Sequence, residues 1–339
     1  MLKIGPYQLR NRVVVAPMAG VTDRPYRQLC KRLGAGYAVS EMAASNPALW
    51  KSVKTSRRLD HAGEIEPRSV QIAGADPAMM AQAARYNVDR GAQIIDINMG
   101  CPAKKVCNVQ AGSALMANEA LALAIISAVA DAVNVPVTVK MRTGPDRSQR
   151  NAVRLARSAE QAGAALITVH GRSRACGFTG YAEYDTIAEV KAALAIPVIA
   201  NGDINSPAQA LQVLRHTGAD AVMIGRAAQG RPWIFREVAA AIAGDVSPAP
   251  PDRAELQALL RDHLIDHHAF HGAYTGVRTA RKHVGWYLEG MPGADAFLRE
   301  VFYPIESPEE QLLALDRWFS DPEAFRAATP GCTDGSTLQ

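Results

Sequence analysis

The 339-residue sequence contains no CxxC pair. Its five cysteines, Cys30, Cys101, Cys107, Cys176 and Cys332, are odd in number and scattered. That excludes a disulfide framework and the usual cysteine zinc site, and each thiol has to be judged by its neighbours. No apolar run approaches the ~20 residues that span a bilayer, so no membrane association is expected. The opening Met1-Leu2-Lys3-Ile4-Gly5-Pro6 lacks a signal peptide's long apolar segment, and the expected location is cytoplasmic. The excess of 37 Lys and Arg over 33 Asp and Glu gives a net charge of only +4, which allows an anionic partner without requiring one.

What is present is a globular chain of 48% hydrophobic residues. Its length suits one (β/α)8 barrel with a small appendage. Short β-branched apolar runs occur at residues 13–18, 37–42, 69–73, 94–98, 137–141, 166–170, 198–201 and 221–224. Between several of them, residues 77–90, 119–132, 151–162, 187–194 and 207–216 carry apolar side chains at helical spacing. Gly91, Gly163 and Gly218 sit where C-caps belong. Eight strands alternating with helices predict a TIM barrel. An open doubly wound sheet would bring a glycine fingerprint after its first strand, where this chain reads Ala16-Pro17-Met18-Ala19-Gly20. The expected domains are a catalytic barrel over residues 1–243, a proline-rich linker over 244–252, an all-helical C-terminal domain over 253–326 and a disordered tail over 327–339. Within the third, helices are expected at 253–270, 277–288 and 308–319.

Barrel enzymes draw their active residues from the C-terminal ends of strands. The exits here carry Pro17, Met18 and Ala19; Gln71; Asn98 and Cys101; Lys140 and Arg142; His170, Gly171 and Arg172; Asn201, Gly202 and Asp203; and Gly225 and Arg226. The loops after strands seven and eight form the usual phosphate site of barrels, so Gly202, Gly225 and Arg226 suit a cofactor phosphate. Lys140 lies among valine and threonine and needs an anion, either a reduced flavin or a carboxylate such as Asp96. Gln71 suits the edge of a flavin ring or serves as a plain hydrogen-bonding group. Cys101, between Gly100 and Pro102, is placed to act as nucleophile or acid. In the helical region Arg278, Arg281 and Lys282 share a face that is either phosphate-binding or merely solvated. His263, His267 and His271 also share a face, but no HExxH signature or cysteine accompanies them, and no metal is expected.

Asp96-Ile97-Asn98-Met99-Gly100-Cys101-Pro102, Ala16-Pro17-Met18-Ala19-Gly20-Val21-Thr22-Asp23, Thr168-Val169-His170-Gly171-Arg172 and Ala200-Asn201-Gly202-Asp203-Ile204 together resemble the tRNA-dihydrouridine synthases. The bacterial B subgroup is the most similar. The resemblance implies bound FMN, reduced by NADPH, that in turn reduces a uridine flipped out of tRNA. It implies hydride transfer to C6 and a proton from Cys101 to C5, with Asn98 on the uracil edge. Pro17, Met18, Ala19, Gln71, Lys140, Asn201, Gly202, Asp203, Gly225 and Arg226 would hold FMN, and His170 would meet flavin or base. The helical domain would grip tRNA through Arg278, Arg281 and Lys282, and the subgroup suggests uridine 17 of the D-loop. A monomer is expected. The rival readings are a flavin-dependent pyrimidine dehydrogenase of small molecules and an RNA-binding barrel without catalysis.

Overall fold

The computed structural model describes residues 2–320. The expected tail, the last residues of the expected helical domain and Cys332 lie outside them. The chain divides into two compact units: residues 2–228 with Pro232–Ala249, and Gln229–Arg231 with the residues from Pro250 on.

The first unit is a barrel. Its strands are β1 (Lys3–Ile4), β2 (Tyr7–Gln8), β3 (Val13–Val15), β4 (Tyr37–Ala38), β5 (Ala43–Ala44), β6 (Ser69–Ala73), β7 (Ile94–Met99), β8 (Val137–Arg142), β9 (Ala164–His170), β10 (Val198–Asn201) and β11 (Ala221–Ile224). The main sheet runs β4-β3-β11-β10-β9-β8-β7-β6-β5, parallel throughout. Its two ends belong to one stave: β4 pairs with β3, Val39 bridges Ser69, and β5 pairs with β6. The sheet therefore closes as eight staves, as expected of β-branched runs buried on both faces. β3 ends earlier than the apolar run does, because Pro17 has no N–H for the ladder.

The antiparallel pair β1 and β2 was not foreseen, since two-residue strands carry no readable period. Leu2, Ile4 and Leu9 are buried with Val14, Ile94, Leu166 and Ala221, residues near the strand starts. The hairpin thus closes the floor of the barrel, opposite the strand exits. The outer helices begin at side-chain caps: Asp23, Asp76 and Ser206 each accept a backbone N–H of the first turn, with proline at the helix start. Gly218 ends Pro207–Thr217 at φ 66°, a left-handed position that favours glycine.

The second unit is helical, with no strand among its described residues. The stretch Arg253–Leu288 is broken at Gly272, at φ 72° and ψ 164°. Across the break, His263 lies near Tyr287, His267 near Thr279 and His268 near Gly276. Partner numbers fall on one arm as they rise on the other, so the arms form an antiparallel hairpin. Phe297 stacks on Trp318 at 4.8 Å, and Arg253 donates to the carbonyls of Trp318 and Phe319 at 2.9–3.0 Å. These contacts hold Pro308–Ser320 against the hairpin base. Among the described residues no helix is long and apolar enough to cross a membrane.

Candidate active site at the barrel mouth

Register sets the mouth. Gln71 stands beside Asp96, Asn98 beside Lys140, Arg142 beside His170, and His170 beside Asn201. Strand side chains alternate. Ile95, Ile97, Met99, Val139 and Met141 face the helices and are wholly buried, which turns the polar set inward.

A chain of hydrogen bonds climbs the inner wall. Thr138 Oγ1 donates to Asp96 Oδ1 at 2.5 Å, and Gln71 Nε2 donates to Asp96 Oδ2 at 2.7 Å. Burial pushes Asp96 up to about 6, which leaves it ionised at neutral pH. As an acceptor it orients the Gln71 amide, whose Oε1 accepts from Asn98 Nδ2 at 2.7 Å. Asn98 Oδ1 then accepts the backbone N–H groups of Gly100 at 3.2 Å and Cys101 at 3.0 Å. A buried carboxylate thus fixes, through two amides, the loop that carries the thiol.

Cys101 itself is half-buried. Its carbonyl accepts from Ser113 N at 3.0 Å, Ser113 Oγ at 2.9 Å and Cys107 Sγ at 3.5 Å. Gly112, at φ 61°, lets that loop close, since a Cβ there would sit 2.8 Å from the Cys101 oxygen. Burial raises the Cys101 thiol above its ordinary 9.0. It is a proton donor at neutral pH, not a thiolate.

Opposite lies a cluster of positive charge. Lys140 Nζ donates to Asn201 Oδ1 at 3.0 Å, and Asn201 Nδ2 donates to the Met223 carbonyl at 2.8 Å. Burial, and then Arg142, lower Lys140 to about 8. His170 is pushed down to about 2 by burial and by Lys140, Arg142, Arg172 and Arg226, so it is a neutral imidazole. Asp203, at φ 50°, accepts both arms of Arg172 at 2.8 Å and lies 3.6 Å from Arg226. Four cations crowd this imidazole, while Asp96 and Asp203 are the carboxylates that act on them. A dianionic phosphate would balance such a mouth.

Gly202 is buried at φ 123°, and a Cβ there would meet Ala182 and His170 at 2.7 and 3.0 Å. Gly225 lies beside Ala16 and Met18, with a built Cβ 3.5 and 3.6 Å away. Pro17 and Met18 are half-buried and Ala19 is exposed, on a turn closed by Met18 N to Thr22 Oγ1 at 2.8 Å. All the barrel residues singled out by sequence therefore meet at one rim. Three correspond less simply to a cofactor role: Gln71 is committed to Asp96 and Asn98, Asn201 to Lys140 and the Met223 carbonyl, and Asp203 to Arg172. Arg142 and Arg172 stand at strand exits in the sequence without an assigned role, and both hold the mouth. Arg142 donates to the carbonyls of Gly100, Ser173 and Gly177 at 2.7–2.9 Å, tying the β7 loop to the β9 loop.

In the helical unit Arg278, Arg281 and Lys282 do share one helical arm. Arg278 lies over the Tyr274 ring at 3.8 Å, and Lys282 lies 6.0 Å from the Trp286 ring. Arg281 is half-buried and donates to the Ile305 carbonyl at 3.3 Å, so it is less available to a phosphate than its spacing suggests.

The model of the dihydrouridine synthase family matches residues 14–324. The chain belongs to that family. It is 58% identical over 322 residues to tRNA-dihydrouridine synthase B of Pseudomonas aeruginosa, covering 95% of this chain and 96% of the relative. It is 60% identical over 321 residues to the protein of that name from Xanthomonas axonopodis pv. citri, covering 94% and 96%. Among solved structures, 6-hydroxypseudooxynicotine amine oxidase from Pseudomonas geniculata matches with a TM-score of 0.55 at 16% identity, over 78% of this chain and 51% of its own. Morphinone reductase in complex with tetrahydroNAD matches at 0.52 and 15%, over 75% and 92%. These two likenesses support the barrel alone. Membership in the dihydrouridine synthases makes the chain an oxidoreductase, and the match extends through the helical unit as well as the barrel.

Proposed function

We propose that this chain reduces the C5–C6 bond of a D-loop uridine in tRNA, position 17, as a cytoplasmic monomer that binds FMN and takes its electrons from NADPH. FMN, when bound, would supply the hydride for C6. Lys140 and the neutral His170 would face the flavin ring, while Gly202, Gly225 and Arg226 would receive its phosphate. Pro17, Met18, Ala19, Gln71, Asn201 and Asp203 would complete the cradle. Asn98 holds the Cys101 loop and would offer the second N–H of its Nδ2 to the uracil edge. Hydride addition at C6 builds negative charge on the ring, and the Cys101 thiol neutralises it by giving its proton to C5. The thiolate left behind regains a proton from solvent. Arg278 and Lys282 supply cationic contacts to the RNA backbone.

The observation that supports this reading most directly is a half-buried thiol whose loop Asn98 fixes, beside a mouth of excess positive charge, in a family named for the reaction. Mass-spectrometric mapping of tRNA from cells lacking the gene tests it. Loss of dihydrouridine at position 17, restored by the wild-type chain, is the expected result. Loss elsewhere would reassign the site, and no loss would remove tRNA reduction.

Lys140 gives a second prediction. Burial and Arg142 lower its ammonium to about 8, and an anionic ring favours the charged form. FMN affinity is therefore expected to fall about tenfold per pH unit above 8, as binding must first recover a proton. Lys140→Met is expected to bind FMN more weakly at pH 7 and to lose this slope. Fluorescence titration of FMN at pH 7, 8, 9 and 10 reads both, and an equal slope in the variant would take Lys140 out of the site.

A further inference from the structure

We propose that the helical hairpin of the second unit holds one zinc ion on His263, His267 and His283. His263 and His267 stand one turn apart on the first arm, and His283 reaches them from the second. Each is 1% exposed. Their ring centroids form a triangle of 4.9, 5.2 and 6.1 Å. One nitrogen from each ring lies within 4.8 Å of the other two. Tetrahedral zinc, with Zn–N of about 2.0–2.1 Å, spaces its ligands by roughly 3.4 Å, a closure within reach of small imidazole rotations.

The surrounding hydroxyl groups prepare the rings. Thr279 Oγ1 donates to the Thr275 carbonyl at 2.7 Å, so it can only accept from His267 Nε2, 2.8 Å away. The His267 proton is thereby assigned to Nε2 and its lone pair to Nδ1. Metal-binding imidazoles acquire such orientation from their outer partners. Tyr287 Oη lies 3.4 Å from His263 Nδ1; as acceptor of the Nδ1–H it leaves the Nε2 lone pair of that ring to the metal. Leu264 occupies the position where a hydrolytic HExxH helix carries its glutamate. The site is therefore structural, fastening the two arms that turn at Gly272, with water as the fourth ligand. The sequence had weighed His271 as the third member of the face. His283 escaped notice because only the hairpin brings it close.

The test uses the full purified chain, stripped with a chelator and titrated with zinc chloride or cobalt chloride. One equivalent of zinc is expected to survive gel filtration, and cobalt is expected to give the intense visible bands of four-coordinate geometry. Thr279→Val, which keeps all three ligands, should weaken zinc about 10- to 100-fold. His283→Gln should abolish retention, whereas His216→Ala, at the exposed Asp185 pair of the barrel unit, should leave it unchanged. No stoichiometric zinc in the wild type, or only weak six-coordinate cobalt bands, overturns the proposal even if His283→Gln fails to fold. Retention equal to wild type in a folded His283→Gln also overturns it.

Discussion

Replacing Cys101 by alanine is expected to slow dihydrouridine formation by about 10²- to 10⁴-fold, the usual worth of a positioned proton donor, while FMN binding and NADPH oxidation persist. The thiol makes no hydrogen bond to Lys140, His170 or Arg226 and touches them only through weak electrostatics, so the two half-reactions should separate in the variant. Single-turnover reduction of a tRNA transcript measures the chemical step directly. Because burial raises the Cys101 pKa above its ordinary 9.0, the wild-type rate with FMN saturating should fall in alkali with a midpoint above pH 9, as the thiol ionises. Cys107 supplies the control. Its Sγ donates to the Cys101 carbonyl at 3.5 Å, a supporting contact that a serine hydroxyl can keep, so Cys107→Ser should cost far less. A fast Cys101→Ala beside a slow Cys107→Ser would transfer the acid role to the second thiol.

Much of that site is readable in the sequence, because parallel strands bring their exits together whatever lies between them. Asn98, Cys101, Lys140, His170 and Asn201 each lie within two or three residues of the end of a β-branched run, and closing the barrel is enough to gather them. What sequence does not carry is the pairing between exits. Nothing near Arg172 announces that its fork will meet Asp203, 31 positions on, or that Arg142 will bind carbonyls of two other loops. The same limit hides the role of Gln71. As a lone strand glutamine it suits a flavin edge, whereas the register beside Asp96 makes it a link between a buried carboxylate and Asn98. The floor hairpin was missed for a local reason, since β1 and β2 are too short for alternation to register.

Glu64→Gln should destabilise the barrel unit by about 3–5 kcal/mol, the range for breaking a buried ion pair by removing one partner. Glu64 accepts from Arg27 at 2.7–3.1 Å and lies 3.4 Å from Lys31 Nζ, with all three side chains no more than 2% exposed. Both cations come from the helix Arg24–Arg32, so this one carboxylate seats the helix that follows the Pro17–Ala19 turn. The cations have other partners: Arg27 donates to the carbonyls of Thr22 and Asp60 at 2.8 and 3.0 Å, and Lys31 to those of Ile65 and Pro67. Carbonyls cannot neutralise them, and glutamine would leave two buried charges uncompensated. Burial alone would raise the Glu64 pKa, but Arg27 and Lys31 outweigh it and hold the carboxyl below its ordinary 4.5. A depressed folded pKa means the contribution is complete above 4.5 and is lost as pH falls through the folded value. Urea unfolding at pH 7 should show the full deficit of Glu64→Gln, and the two proteins should converge in acid. Adding Lys31→Met should recover part of the loss by removing one stranded charge. A double variant no more stable than Glu64→Gln would mean that the deficit comes from packing and not from charge.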